Sequence, residues 1–205
     1  MREVSFNIYR FDELSEEVQK RVIDRYQMNY DVSDELQMAM EDKFNGMLGE
    51  LAYDYFKLSY SLNCCQGDGV SFTGTISGES NLMELAKLVY GENIPRNVTR
   101  LIKWDIIYDV KFDRINPHYV HSYTVDISVT DSYNLDCMGY GENPHDRILE
   151  VMQDFESDII SWYHKTCKEL EDYGYTEIDF VLSDENIRDM LICNELEFTE
   201  DGRDF

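Results

Sequence analysis

The chain has 205 residues with 42 acidic against 18 basic side chains, a formal net charge of −24, a field that repels nucleic acid and anionic membranes and attracts basic surfaces. Hydrophobic residues make up 43% and aromatics 13%, with only 3 Pro and no linker-like tract, which excludes a disordered acidic tail and predicts one compact domain over residues 1–205. The charge is uneven: residues 142–205 hold 19 Asp and Glu against 5 Lys and Arg, whereas residues 57–141 hold 10 against 7.

In chain order, Val4, Phe6, Ile8 and Phe11 alternate and predict a short opening strand. Ser15 caps a helix with Glu16 and Glu17 in its first turn and Val18, Val22 and Tyr26 on its apolar face. A second helix is expected from Asp34 to Phe56, with Leu36, Met40, Phe44, Met47, Leu51 and Tyr55 on one stripe. The period then switches to two in Ser59–Cys65 and Val70–Ser77, joined by Gln66-Gly67-Asp68-Gly69, and Asp-Gly between alternating runs signals a hairpin.

Ser80–Tyr90 reads as a short helix ended by Gly91 and Pro95. A second strand pair follows. Trp104, Ile106, Tyr108, Val110 and Phe112 face one side, and after Asn116-Pro117 so do Tyr119, His121, Tyr123, Val125, Ile127 and Val129. Asn143 as cap and Pro144 as first helical residue open the longest helix, with Ile148, Met152, Phe155, Ile159, Trp162 and Leu170 on one face and Gly174 as its end. Ser183 caps a last helix containing Ile187, Met190 and Leu191, and Leu196–Phe198 with Asp201-Gly202 closes the chain as strand and turn. The expected fold is α+β: a four-stranded antiparallel meander packed by several helices, the long one in the C-terminal third.

Glu142, Asp146, Glu150, Asp154 and Asp158 recur every four residues along that helix, opposite its apolar stripe. Four residues rise about 6 Å, so the row is sparser than the charge of duplex DNA, one per ~1.7 Å. Like charges at this spacing destabilise a helix by about 0.2–0.5 kcal/mol per pair. The row is either the solvated face of an acidic protein or a partner-binding surface standing in for a nucleic-acid backbone.

Catalytic patterns are weak. His118 and His121, near Asp105 and Asp109, suggest a metal, but three residues apart on a strand they face opposite ways. His145 and His164 are 19 residues apart on the long helix, too far to share an ion. The hairpin loop Gln66–Gly69 could cradle a phosphate, yet no helix N-terminus or Lys follows it as a P-loop requires. Cys64, Cys65, Cys137, Cys167 and Cys193 have no CxxC spacing and fit reduced, mostly buried thiols. No metal, cofactor or enzymatic activity is expected. The first fifteen residues lack the basic region and apolar run of a signal peptide, and no stretch approaches the ~18 apolar residues of a membrane span.

Four segments together carry a resemblance: Phe11–Glu17 (PheAspGluLeuSerGluGlu), Ser61–Gly74 with its Gln-Gly-Asp-Gly-Val-Ser-Phe hairpin, His118–Val125 (HisTyrValHisSerTyrThrVal) and Glu197–Arg203 (GluPheThrGluAspGlyArg). They resemble a loose family of small acidic proteins encoded by phages and prophages. The resemblance implies a mobile-element origin and a cytoplasmic place in a bacterial host. It also implies an anti-defence role, anti-CRISPR or anti-restriction, and carries over no catalytic positions. The expected function is inhibition of a host defence nucleoprotein, an RNA-guided CRISPR nuclease first, by an acidic surface that occupies its basic nucleic-acid-binding groove. No direct contact with nucleic acid or membrane is expected. A small metal- or ligand-dependent module built on Gln66–Gly69 and His118/His121 is the alternative, and an antitoxin-like or structural partner of a basic protein the second.

Overall fold

A computed structural model of the chain describes residues 7–63, 65, 67–132 and 144–205, and within them the fold is α+β. In chain order the first elements are β1 (Tyr9–Arg10), a 3-10 turn (Phe11–Glu13), α1 (Glu16–Asn29), α2 (Ser33–Leu48), α3 (Glu50–Tyr55), β2 (Phe56–Ser61) and β3 (Gly69–Ser77). Then come α4 (Glu79–Tyr90), α5 (Arg96–Lys103), β4 (Ile107–Arg114), a second 3-10 turn (Ser122–Thr124) and β5 (Val125–Asp131). The chain closes with α6 (Pro144–Val181), α7 (Asp184–Cys193) and β6 (Glu197–Phe198).

Two compact units result, one of Met1–Ala39 with Gly174–Phe205, the other of Met40–Tyr173. In the first, β1 pairs antiparallel with β6, setting Tyr9 opposite Phe198. Its core gathers Phe11, Leu14, Val18, Val22 and Ile23 with Ile187, Leu191 and Phe198. Ser183 Oγ accepts the N–H of Asn186 at 3.2 Å and so caps α7, as its position before the apolar run predicts.

In the second unit the four strands form an antiparallel meander in the order β2-β3-β4-β5. Tyr60 faces Val70, and Leu58 faces Phe72 across the expected hairpin. Leu62, Val70 and Phe72 are buried and Tyr60 half-buried. The core is aromatic: Phe72 lies 4.8 Å from Phe56, 5.3 Å from Phe44 and 4.5 Å from Tyr163, centroid to centroid. Each such pair adds about 0.5–1.5 kcal/mol beyond the area it buries.

The contact that seats α6 on this sheet is polar. Strand β4 meets β3 only from Gly74, opposite Phe112, to Ser77, opposite Asp109. The backbone of Phe72 on that side has no strand partner, and the Tyr163 hydroxyl takes the place of one. It accepts the Phe72 N–H at 3.1 Å and donates to the Phe72 C=O at 3.0 Å. Burial pushes the phenol far above its usual range, so it stays a donor at any working pH. One turn on, burial pushes the Cys167 thiol up to about 12, which leaves it protonated and inert.

The structure corrects several expectations. The helix expected over Asp34–Phe56 is two helices, broken at Gly49 with φ +60, and Phe56 leaves to pair with Gly74. Gly74 is needed there, because a methyl group on it would lie 1.9 Å from the Tyr55 carbonyl oxygen. Leu48 is buried at the end of that stripe and Met47 only half-buried. A bulge between Ile107 and Asp109 reverses the alternation at the start of β4, so Ile107 is buried while Tyr108 is exposed, and Trp104, exposed as well, ends α5 rather than entering the strand. Strand β5 starts at Val125 rather than Tyr119. Helix α5, with Pro95 before it, has no counterpart in the expected elements. Helix α6 runs through the buried Gly174 to Val181, whose carbonyl accepts Asn186 Nδ2 at 2.8 Å. Glycine within a helix costs about 1 kcal/mol, less than a packed helix supplies. Pro144 does open α6, whereas Val4, Phe6, Cys64, Cys137 and the Asn143 cap lie outside the described residues.

Tyr163→Phe keeps the ring and removes both bonds to Phe72. It is expected to lower stability by about 2–6 kcal/mol in urea denaturation, about 1–3 for each of the two buried backbone groups left unpaired. A variant as stable as the wild type would show that the hydroxyl does not hold α6 to β3.

Candidate functional site

The hairpin loop is built around one carboxylate. Asp68 accepts Ser61 Oγ–H at 2.6 Å and the backbone N–H groups of Asn63 at 2.8 Å and Cys65 at 2.7 Å. These donors, Ser61 first, hold its carboxyl below the usual range. The acid that could have met a ligand is therefore consumed by its own loop. Gln66 lies outside the described residues.

The segment from His118 to Thr124 folds over that loop. Val120 N–H donates to Gly67 C=O at 3.2 Å, and the Tyr119 ring lies over Gly67, where an added methyl would come within 2.0 Å of it. Gly67 also has φ +92, and Gly69, at φ +149, has His121 and Val120 beside it. Both glycines admit conformations and contacts that a side chain would block. His121 Nδ1 accepts the Tyr123 N–H at 3.2 Å and caps the 3-10 turn, which draws the segment away from the strand expected there. His118 is exposed, its backbone N–H bonded to Asn116 Oδ1 at 2.9 Å.

His121 meets a histidine from α6 through a tyrosine: its ring stacks on Tyr123 at 5.1 Å, and Tyr123 stacks on His164 at 4.2 Å. No motif in the sequence joins His164 to this loop. Among the described residues no three His, Cys, Asp or Glu side chains are grouped to hold a metal ion. Asp109 is buried beside Lys111 at 3.7 Å, and Asp105 turns the chain at φ +55.

The acidic row takes the opposite side of α6. Asp146, Glu150, Asp154 and Asp158 are exposed, while Met152, Phe155, Ile159 and Tyr163 are buried; Glu142 lies outside the described residues. Tyr90 of α4 stacks on Phe155 at 6.1 Å and donates its hydroxyl to Asp158 at 2.7 Å, so the last member of the row is oriented. Burial and then Asp158 push the Tyr90 phenol upward, which keeps it a donor. Further along, Glu169 is paired with Lys43 at 3.1 Å and Glu171 with Lys168 at 3.9 Å. Among the described residues no ion pair reaches Asp146, Glu150 or Asp154. Glu177 and Asp179, later on the same helix, also have no ion pair among the described residues.

In the other unit, Arg25, Tyr26, Asn29, Tyr30, Asp31 and Asp204 line a cavity whose polar groups are already bonded. Arg25 donates to Gly202 C=O at 2.8 Å and to Asp204 at 2.6 Å, and Tyr26 to Asp204 at 3.0 Å. In the core of the same unit Phe11 of the first resemblance segment lies edge-on to Phe198 of the fourth at 6.3 Å, as the second and third meet at the hairpin loop.

Residues 52–184 match the family model of a domain of unknown function, DUF8835, well over half of the chain. No curated protein and no solved structure matches the chain. Among the described residues no helix is long and apolar enough to cross a membrane.

Two outcomes test the loop. Gly67→Ala is expected to displace Tyr119 and expose the 118–124 segment to proteolysis, whereas a variant as resistant as the wild type would refute the close approach. The stabilisation from Asp68 is present above the ordinary carboxylate value and lost as pH falls through its lowered one. Asp68→Ala should therefore flatten part of the acid limb of the stability curve, and an unaltered curve would remove Asp68 as the loop's organiser.

Proposed function

The chain belongs to the DUF8835 family, and we propose that it is a binding protein whose carboxylate row on α6 occupies a basic nucleic-acid-binding groove of a partner. The observation that carries this reading is the exposed run Asp146, Glu150 and Asp154, which has no ion pair among the described residues, on a helix anchored by its opposite face. A rod fixed in this way presents its charges at constant spacing and spends little ordering entropy on binding. Overall charge adds long-range attraction: the −24 net charge steers encounter with basic surfaces and opposes contact with nucleic acid itself.

The partner we favour is a host defence nucleoprotein, with an RNA-guided nuclease first, because its duplex channel and PAM-reading cleft are basic and must stay open to work. Inhibition would then need occupancy alone and no chemistry. The absorption of Asp68 by its own loop supports this over a ligand-binding hairpin.

The test is competition for DNA on a guide-loaded nuclease. Wild-type protein should displace target duplex, with an affinity that falls as salt rises. Asp146→Lys/Glu150→Lys/Asp154→Lys should lose more than about tenfold in affinity with unchanged helical circular dichroism, since these positions face away from the core. Equal displacement by both proteins would make the row a solvated face only.

A further inference from the structure

We propose that the 118–124 segment is a pH-operated latch: with His121 and His164 neutral it is clamped over the hairpin loop and α6, and their protonation releases it. Two contacts require neutral rings. His121 Nδ1 is an acceptor for the Tyr123 N–H at 3.2 Å, a bond that a proton on that nitrogen abolishes. His164 Nδ1 is buried with no hydrogen-bond partner among the described residues, so a charge on that ring has nothing to meet there. Tyr123, itself exposed, stacks on both rings, at 5.1 Å and 4.2 Å, so charging both brings two like charges against one side chain.

The surrounding groups set the direction. From α6, Glu171 approaches the same point as His121: a methyl built on Gly69 would lie 3.1 Å from His121 Cδ2 and 3.5 Å from Glu171 Oε2. A protonated His121 thus has a carboxylate to turn toward, and turning breaks its bond to Tyr123. Lys168 already holds Glu171 at 3.9 Å and Asp172, which moderates that pull. Among the described residues the remaining neighbours offer His164 no compensation: Tyr163 beside it is bonded to Phe72, and the Cys167 thiol is protonated. From the loop and β4, Asp68 is saturated by its own donors, and Arg114 is bonded to Ser71 at 3.0 Å. Lys165 and His118 are exposed.

Burial, and then the proximity of His121, lower the affinity of His164 for a proton in the latched state. The released state therefore binds more protons as pH falls from the ordinary imidazole value toward the lowered one, and the latch weakens across that interval. Release frees Tyr119 and Val120 from Gly67 and leaves the sheet in place, because β3, β4 and β5 are held by their own ladders.

Hydrogen-exchange mass spectrometry tests the latch at about pH 7.5 and about pH 5.5, either side of the ordinary imidazole value, with rates corrected for intrinsic pH dependence. Protection of residues 118–124 should fall by roughly tenfold or more at the lower pH while β3–β5 keep theirs. In His121→Asn/His164→Phe, where Asn keeps an acceptor and Phe keeps the stack, protection should no longer depend on pH. Unchanged protection in the wild type, or an equal loss in the double variant, overturns the latch. If the double variant does not fold, titration of the wild-type imidazoles by NMR decides: His164 should titrate below the ordinary value, and a value at or above it overturns the proposal.

Discussion

A single hydroxyl group decides how the larger unit is put together. Where β4 diverges from β3, the N–H and C=O of Phe72 would be buried without partners, at about 1–3 kcal/mol for each group. The Tyr163 hydroxyl meets both, one as donor and one as acceptor. A phenol is the right group for the place because it does both jobs from one atom and brings a ring that packs on Phe72 at 4.5 Å. That contact fixes one point of α6 on the sheet, beside the ring contacts of Trp162 with Phe72 and of Tyr163 with Phe112. Ile159 and Phe155, one and two turns earlier, are buried on the same face.

With α6 set in this way, its remaining residues fall into roles by helical period. Glu156 accepts the Val129 N–H at 2.9 Å and so satisfies part of the free edge of β5, which would otherwise invite another strand. His164 reaches the 118–124 segment through Tyr123. Asp146, Glu150 and Asp154 look outward with no ion pair among the described residues, and Glu169, Glu171 and Asp172 in the second half are matched by Lys43 and Lys168. One helix thus separates an apolar seam, an edge cap and an anionic face on one rod.

The hairpin loop shows the same economy. Its two glycines and its Asp have structural duties: Asp68 organises the loop, Gly67 admits the Tyr119 ring, and Gly69 brings His121 near Glu171. A conspicuous motif is explained by close approach of backbone and ring rather than by a ligand. The exposed Tyr119 covers Gly67, and the exposed Tyr123 stacks on His121 and His164.

Periodicity made much of this legible in advance. The meander, the Asp-Gly hairpin, the inward stripe of α6, the cap at Ser183 and the outward carboxylate row all follow from residues within a few positions of one another, so local pattern was enough to place them. The failures share the opposite property. Tyr119–Thr124 alternates like a strand, yet Gly67, some fifty positions earlier, takes up its backbone hydrogen bond. The bulge at Tyr108 reverses a face through its pairing with β5. Gly174 does not end its helix, because burial outweighs its propensity. By itself, then, the amino-acid sequence determined the elements, their apolar faces and the sign of the surface. Only the tertiary structure decided which polar groups are spent on the fold and which are left for a partner, since hydrogen bonds such as Tyr163 to Phe72 join residues that no local pattern relates.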